Sequence, residues 1–98
     1  MTELDAVTRD YRVAFLRYLS RREESALHRG YQLGRSAVVD GLSMLDLARI
    51  HHLVLLEVLA GSHRTSEDVT GLAAAASEFL LEVLATYDMT QRAFRDTI

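Results

Sequence analysis

The sequence predicts an all-α protein: a four-helix domain with a long C-terminal helix, assembling as a helical homodimer. Three observations carry the fold class. The 98 residues include no proline and only five glycines, the two residues that most often punctuate helices. Apolar residues recur at spacings of three and four along most of the chain, the period of one helical face. Hydrophobic residues make up 49 % and charged residues 26 %, whereas disordered chains combine low hydrophobicity with high net charge. A chain of this length builds one core, so residues 1–98 read as a single domain.

The elements follow in order. Leu4, Val7, Tyr11, Ala14, Phe15 and Tyr18 fall on one face and predict a first helix from Glu3 to Ser20. The polar junction Arg21-Arg22-Glu23-Glu24 is short enough to make the next helix an antiparallel neighbour. That second helix spans Glu24 to Asp40, with Leu27, Tyr31, Gly34 or Leu33, Ala37 and Val38 turned inward. Gly30 and Gly34 sit one turn apart, each at a cost of about 1 kcal/mol in helix propensity relative to Ala. Close approach of another helix backbone is the favoured compensation over a ligand contact. Gly41 is the natural stop, because the residue after a helix C-cap often adopts a left-handed conformation.

Ser43 then caps a third helix, with Asp46 placed to complete a capping box. The run from Met44 to Ala60 leaves almost no polar face, which predicts a central helix or one at a subunit interface. Gly61 to Ser66 is the one clear loop. Thr65 or Ser66 can cap the fourth helix, with Glu67 and Asp68 in its first turn. Its core stripe is Val69, Leu72, Ala73, Ala76, Phe79, Leu80, Val83, Leu84 and Tyr87. Nothing stops this helix before Ile98, and about 1.5 Å per residue makes it roughly 45 Å long. Such a helix reads as a connection onward, with the chain as the N-terminal part of a longer protein.

Composition narrows the function. A net charge of -3 argues against a protein that lives on nucleic-acid phosphates or anionic lipid. All 11 basic residues are Arg, and those of the first helix alternate with Asp5, Asp10, Glu23 and Glu24, a mixed salt-bridged face. Cysteine is absent, which removes thiolate nucleophiles and Cys-ligated zinc. The acidic start lacks the order of a secretory signal. Leu42 to Ala60 carries too many polar groups for a membrane span. The expected localisation is cytoplasmic.

Catalytic patterns are missing. There is no phosphate loop, dinucleotide fingerprint or nucleophile elbow. His51 and His52 point about 100° apart on a helix and lack a carboxylate partner at metal-ligand spacing. A histidine hydrogen-bonded inside the bundle outweighs a ligand there. Glu78 and Glu82 lack the Glu-x-x-His partner of di-iron bundles. The domain reads as non-enzymatic, with no cofactor. The alternative from another class is a small-ligand or haem sensor using His51 or His52.

One ordered series remains: Arg17-Tyr18, Leu27, Arg35, Ile50-His51, Val54-Leu55, Glu57, Phe79-Leu80, Glu82-Val83, Tyr87 and Met89. From Tyr11 to Gln91 it resembles the N-terminal regulatory domain of the RsbU-type stress-response phosphatases, a PPM-type serine/threonine group. The resemblance implies a helical homodimer that binds a switch protein kinase of the RsbT type. Binding would activate the attached phosphatase, which dephosphorylates an anti-sigma-factor antagonist and so releases an alternative sigma factor. The family's kinase-binding surface matches His28 on the second helix and Ala85 late on the fourth. The resemblance implies larger apolar or aromatic groups at these two positions in a member of the family, so this sequence departs at both. Arg29 and Tyr31, beside His28, complete the candidate partner-binding set.

Overall fold

The computed structural model describes residues 2–61 and 66–97, with side chains for all of these except 66, 67 and 97. Four helices follow one another: α1 (Glu3–Arg21), α2 (Glu24–Val39), α3 (Met44–Ala60) and α4 (Ser66–Thr97). Their ends obey local chemistry. Thr2 and Asp5 form a capping box at the start of α1, each side chain satisfying the other residue's free backbone N–H. Ser43 and Asp46 do the same for α3, with bonds of 2.9 and 3.0 Å. The end of α2 is a Schellman motif. Leu42 N–H donates to the Ala37 carbonyl at 2.9 Å and Gly41 N–H to the Val38 carbonyl at 3.2 Å, while Gly41 takes φ +79°. The expected cap at Thr65 or Ser66 lies outside the described residues and side chains.

The helices run up, down, up and down, so α2 and α4 are parallel. In such a bundle parallel helices usually sit across a diagonal. Here α2 and α4 instead share the largest interface of the molecule, and the glycines are the reason. Gly30 packs on the Phe79 ring and on Val83, while Gly34 lies on the backbone of α4 at Val83 and Tyr87 and on Thr86 Oγ1. α1 leans on this pair, and α3 is held by smaller contacts to α4 and α1.

The core is small and aromatic. Tyr11, Phe15, Phe79, Leu47, Val54 and Val83 are its largest fully buried side chains. The Phe79 ring meets Tyr11 and Phe15 edge-on at 5.2 and 5.6 Å, a preferred aromatic geometry. Tyr87 donates its hydroxyl to the Leu42 carbonyl at 2.7 Å and ties α4 to the α2–α3 turn. The segment Asp68–Asp96 is long and apolar enough to cross a membrane by composition. In the bundle its residues Leu72, Ala75, Ala76, Phe79, Val83 and Tyr87 are core.

Two sequence expectations are corrected. The buried face of α2 is Ala26, Gly30, Gly34 and Ala37, and the larger Leu27, Tyr31 and Val38 flank it half-buried. α3 is an edge helix rather than a central one. Leu47, Ile50, His51 and Val54 face the core, whereas Leu45, Leu53, Leu56 and Leu59 are exposed. Leu4, Val69 and Ala73 also lie outside the core.

The glycine contact makes a paired prediction. A Cβ at position 34 would overlap Thr86 Oγ1 and the Val83 carbonyl and stand 3.0 Å from Tyr87 N; two of these are backbone atoms that cannot step aside. Gly34→Ala is expected to destabilise the domain by about 2 kcal/mol through overpacking, despite a gain of about 1 kcal/mol in helix propensity. At position 30 the nearest atom is the Phe79 ring at 3.2 Å, which can shift by a few tenths of an ångström. Gly30→Ala is expected to stay within about 1 kcal/mol of the natural chain. Urea unfolding of both variants checks this, and an unperturbed Gly34→Ala protein would contradict it.

Candidate partner-binding surface

Four positions stand out in the sequence, and the structure brings two of them together. The rings of His28 and Tyr31, one turn apart on α2, stack with centroids 5.6 Å apart and planes 11° from parallel. His28 is exposed and Tyr31 half-buried, so the pair forms a flat aromatic stack on the outside of α2. Ala85 is exposed on α4, one residue before Thr86, against which Gly34 packs. Its short side chain leaves the rim low beside the α2–α4 crossing. Arg29 lines an open groove with Val7 and Asp10 of α1 and with Gln32, Leu33, Arg35 and Ser36 of α2. Stack and groove are therefore two flanks of α2, as expected for adjacent residues about 100° apart.

A further patch escaped sequence reasoning. Toward the C-terminal ends of α2 and α4, Arg35, Val39, Met89, Thr90, Ala93 and Phe94 line one shallow depression. Val39, Met89 and Phe94 are 67 %, 59 % and 52 % exposed. The signal was present as apolar residues off the core stripe, and Met89 belonged to the resemblance series without being assigned to a surface. α2 and α4 thus offer an aromatic stack, a small exposed residue at Ala85 and, between their C-terminal ends, an apolar depression flanked by Arg35. That combination of aromatic and Arg groups with an apolar centre is typical of protein interfaces.

The histidines resolve differently. His51 is buried, and its Nδ1 lies 2.7 Å from the Tyr11 hydroxyl, with Tyr11 and Phe15 rings edge-on to it. Burial, and secondarily the neighbouring His52, holds its pKa below the ordinary imidazole value. Burial likewise pushes the Tyr11 hydroxyl well above its usual value. Both groups are therefore neutral at pH 7, and the pair pins α3 to α1. This is the hydrogen-bonded core histidine anticipated from the sequence. His52 is exposed. Among the described residues no group of three or more His, Asp or Glu is placed to hold a metal ion.

The arginines of α1 meet acids, as their interleaving predicted. Arg12 makes a bidentate pair with Glu57 of α3 at 2.8 and 2.9 Å, and Arg9 and Arg21 lie near Asp10 and Glu23. Arg22 reaches across to the Gly71 carbonyl at 2.8 Å. Glu78 accepts the Tyr18 hydroxyl at 2.7 Å, which raises the tyrosine's pKa and gives that carboxylate a structural role.

A family model for the N-terminal domain of phosphoserine phosphatase RsbU matches residues 9–90. The chain belongs to this family. The domain is accordingly a regulatory one, belonging with a stress-response phosphatase, and not the catalytic part. No curated protein and no solved structure matches the chain.

The buried imidazole predicts a pH dependence with a defined sign. Its folded pKa is depressed, so the unfolded state binds more protons once pH drops below the unfolded imidazole value of about 6.5. His51 therefore contributes stability that is fully present above that pH and is lost as pH falls through the window below it. Urea midpoints at pH 7.5 and 5.5 should differ more in the natural chain than in His51→Gln, whose amide oxygen can still accept from Tyr11. Equal differences would show that His51 does not carry the effect.

Proposed function

We propose that this domain docks a switch protein kinase of the RsbT type on its α2–α4 side, and that it does so as a homodimer. Docking activates an attached PPM-type serine/threonine phosphatase, which acts on an anti-sigma-factor antagonist and so releases a sigma factor under stress. The domain then forms the N-terminal part of a longer cytoplasmic protein. The observation that carries this reading is the family match over residues 9–90. The His28–Tyr31 stack on α2 and the exposed Ala85 on α4 support the choice of side.

The physical route is short. α4 is at once the spine of the core and one wall of the docking side. A kinase that binds one arrangement of α4 more tightly than another shifts the population between them, by no more than its differential affinity. The small Ala85 admits a protruding side chain of the partner where the resemblance implies a larger group. His28, Tyr31 and Arg35 supply aromatic faces and a guanidinium for planar acidic or aromatic partner groups.

The test is calorimetric titration of the purified chain with the switch kinase encoded nearest its gene. Binding is expected, and Ala85→Arg should weaken it at least tenfold, about 1.4 kcal/mol, with an unchanged unfolding midpoint. Absence of binding by the natural chain overturns the kinase assignment. Unchanged affinity in Ala85→Arg overturns the choice of side.

A further inference from the structure

α3 is the helix least held by the rest of the chain. It shares less interface with the other helices than α1, α2 or α4 does. Only Leu47, Ile50, His51 and Val54 of it are buried, and Leu45, Leu53, Leu56 and Leu59 stand exposed on its outside. Its two ends are held unequally. At the start, Leu42 is clamped twice: its N–H donates to the Ala37 carbonyl at 2.9 Å, and its carbonyl accepts the Tyr87 hydroxyl at 2.7 Å. Near the other end, an open depression of about 430 Å³ is walled by Val58, by Leu16 and Leu19 of α1 and by Leu72 of α4. Between the two ends, α3 is tied to α1 by the buried Tyr11–His51 hydrogen bond and the exposed Arg12–Glu57 ion pair.

We propose that α3 is a latched flap, which leaves the core as one cooperative unit, its start held at Leu42, while α1, α2 and α4 stay packed together. Tyr11 and His51 are the latch. Breaking a buried hydrogen bond leaves polar groups without partners, whereas an exposed ion pair contributes little. A helix of 17 residues is marginal in water by itself, so a released α3 also gives up its backbone hydrogen bonds. The atoms nearest Gly30 and Gly34 all belong to α4, so the seating of α2 on α4 survives the opening. Tyr11 and Phe15, whose rings meet His51 edge-on, then face solvent. The aromatic core is thereby reached from the α3 side without dismantling α2 and α4. Conformational switches are drawn from such low-stability elements. The inference stands apart from the kinase reading, because it holds whichever partner α2 and α4 carry.

Native-state hydrogen exchange of the chain in low urea tests the flap. Amides in the middle of α3 should be protected about tenfold less than those of α2 and α4, or weaker still, with a shallower urea dependence because less surface is exposed. Tyr11→Phe should lower α3 protection a further tenfold or so, about the worth of one buried hydrogen bond. Gly34→Ala should lower protection in α2 and α4 and leave α3 unchanged, because the strained crossing is common to the closed and open forms. If α3 shares the protection and urea dependence of α2 and α4, or loses protection equally in Gly34→Ala, it opens only with the whole domain and the flap is overturned. Protection of α3 that is unmoved by Tyr11→Phe overturns the latch.

Discussion

The architecture depends on one contact, the seating of Gly30 and Gly34 on α4. Two missing side chains let α2 reach the backbone of α4 at Val83 and Tyr87 and bring two parallel helices together across the bundle. The consequences are geometric. α1 settles against the joined pair, and its Tyr11 and Phe15 complete an aromatic core around Phe79. α3 is left at the edge with half of its apolar surface outside. The loss of about 1 kcal/mol of helix propensity per glycine is offset by packing that no larger residue permits at position 34.

That arrangement divides the surface by role. Where α2 and α4 meet toward their C-terminal ends, the outside carries the apolar depression at Val39, Met89 and Phe94, while the His28–Tyr31 stack lies on α2 and Ala85 on α4. α3 carries a leucine seam and is attached to α1 by directional polar links, Tyr11–His51 and Arg12–Glu57. α4 packs against α2, α1 and α3, and its buried side chains form the floor of the core.

Much of this was legible in the sequence, and the failures have physical causes. The four helices, the Ser43–Asp46 capping box and the Gly41 stop followed from local chemistry that tertiary structure did not override. The Thr2–Asp5 box at the chain's start has the same spacing. On α2 the spacing identifies Gly34 and Ala37 as inward, but it also turns Leu27, Tyr31 and Val38 inward, whereas a close helix crossing buries the smallest residues. Gly30 and Gly34 announced a close approach, yet nothing local to α2 names α4 as the partner. Of the two places the apolar run of α3 predicts, the central one is excluded by its exposed leucines; an apolar helix reads alike whether its own chain or another covers it. Of the candidate site, His28 and Tyr31 share a face by spacing alone, but the separation of Arg29 onto the α1 flank and the place of Ala85 beside the crossing need the helix arrangement.

The most direct test of the central claim, that the glycine-joined α2–α4 unit is the regulatory docking side, is hydrogen exchange of the chain with and without the switch kinase. Kinase binding should slow exchange in residues 28–35 of α2 and 82–90 of α4, and leave the outer turns of α3 unchanged. Slowing confined to α1 or α3, with α2 and α4 unaffected by a kinase that binds, would contradict it.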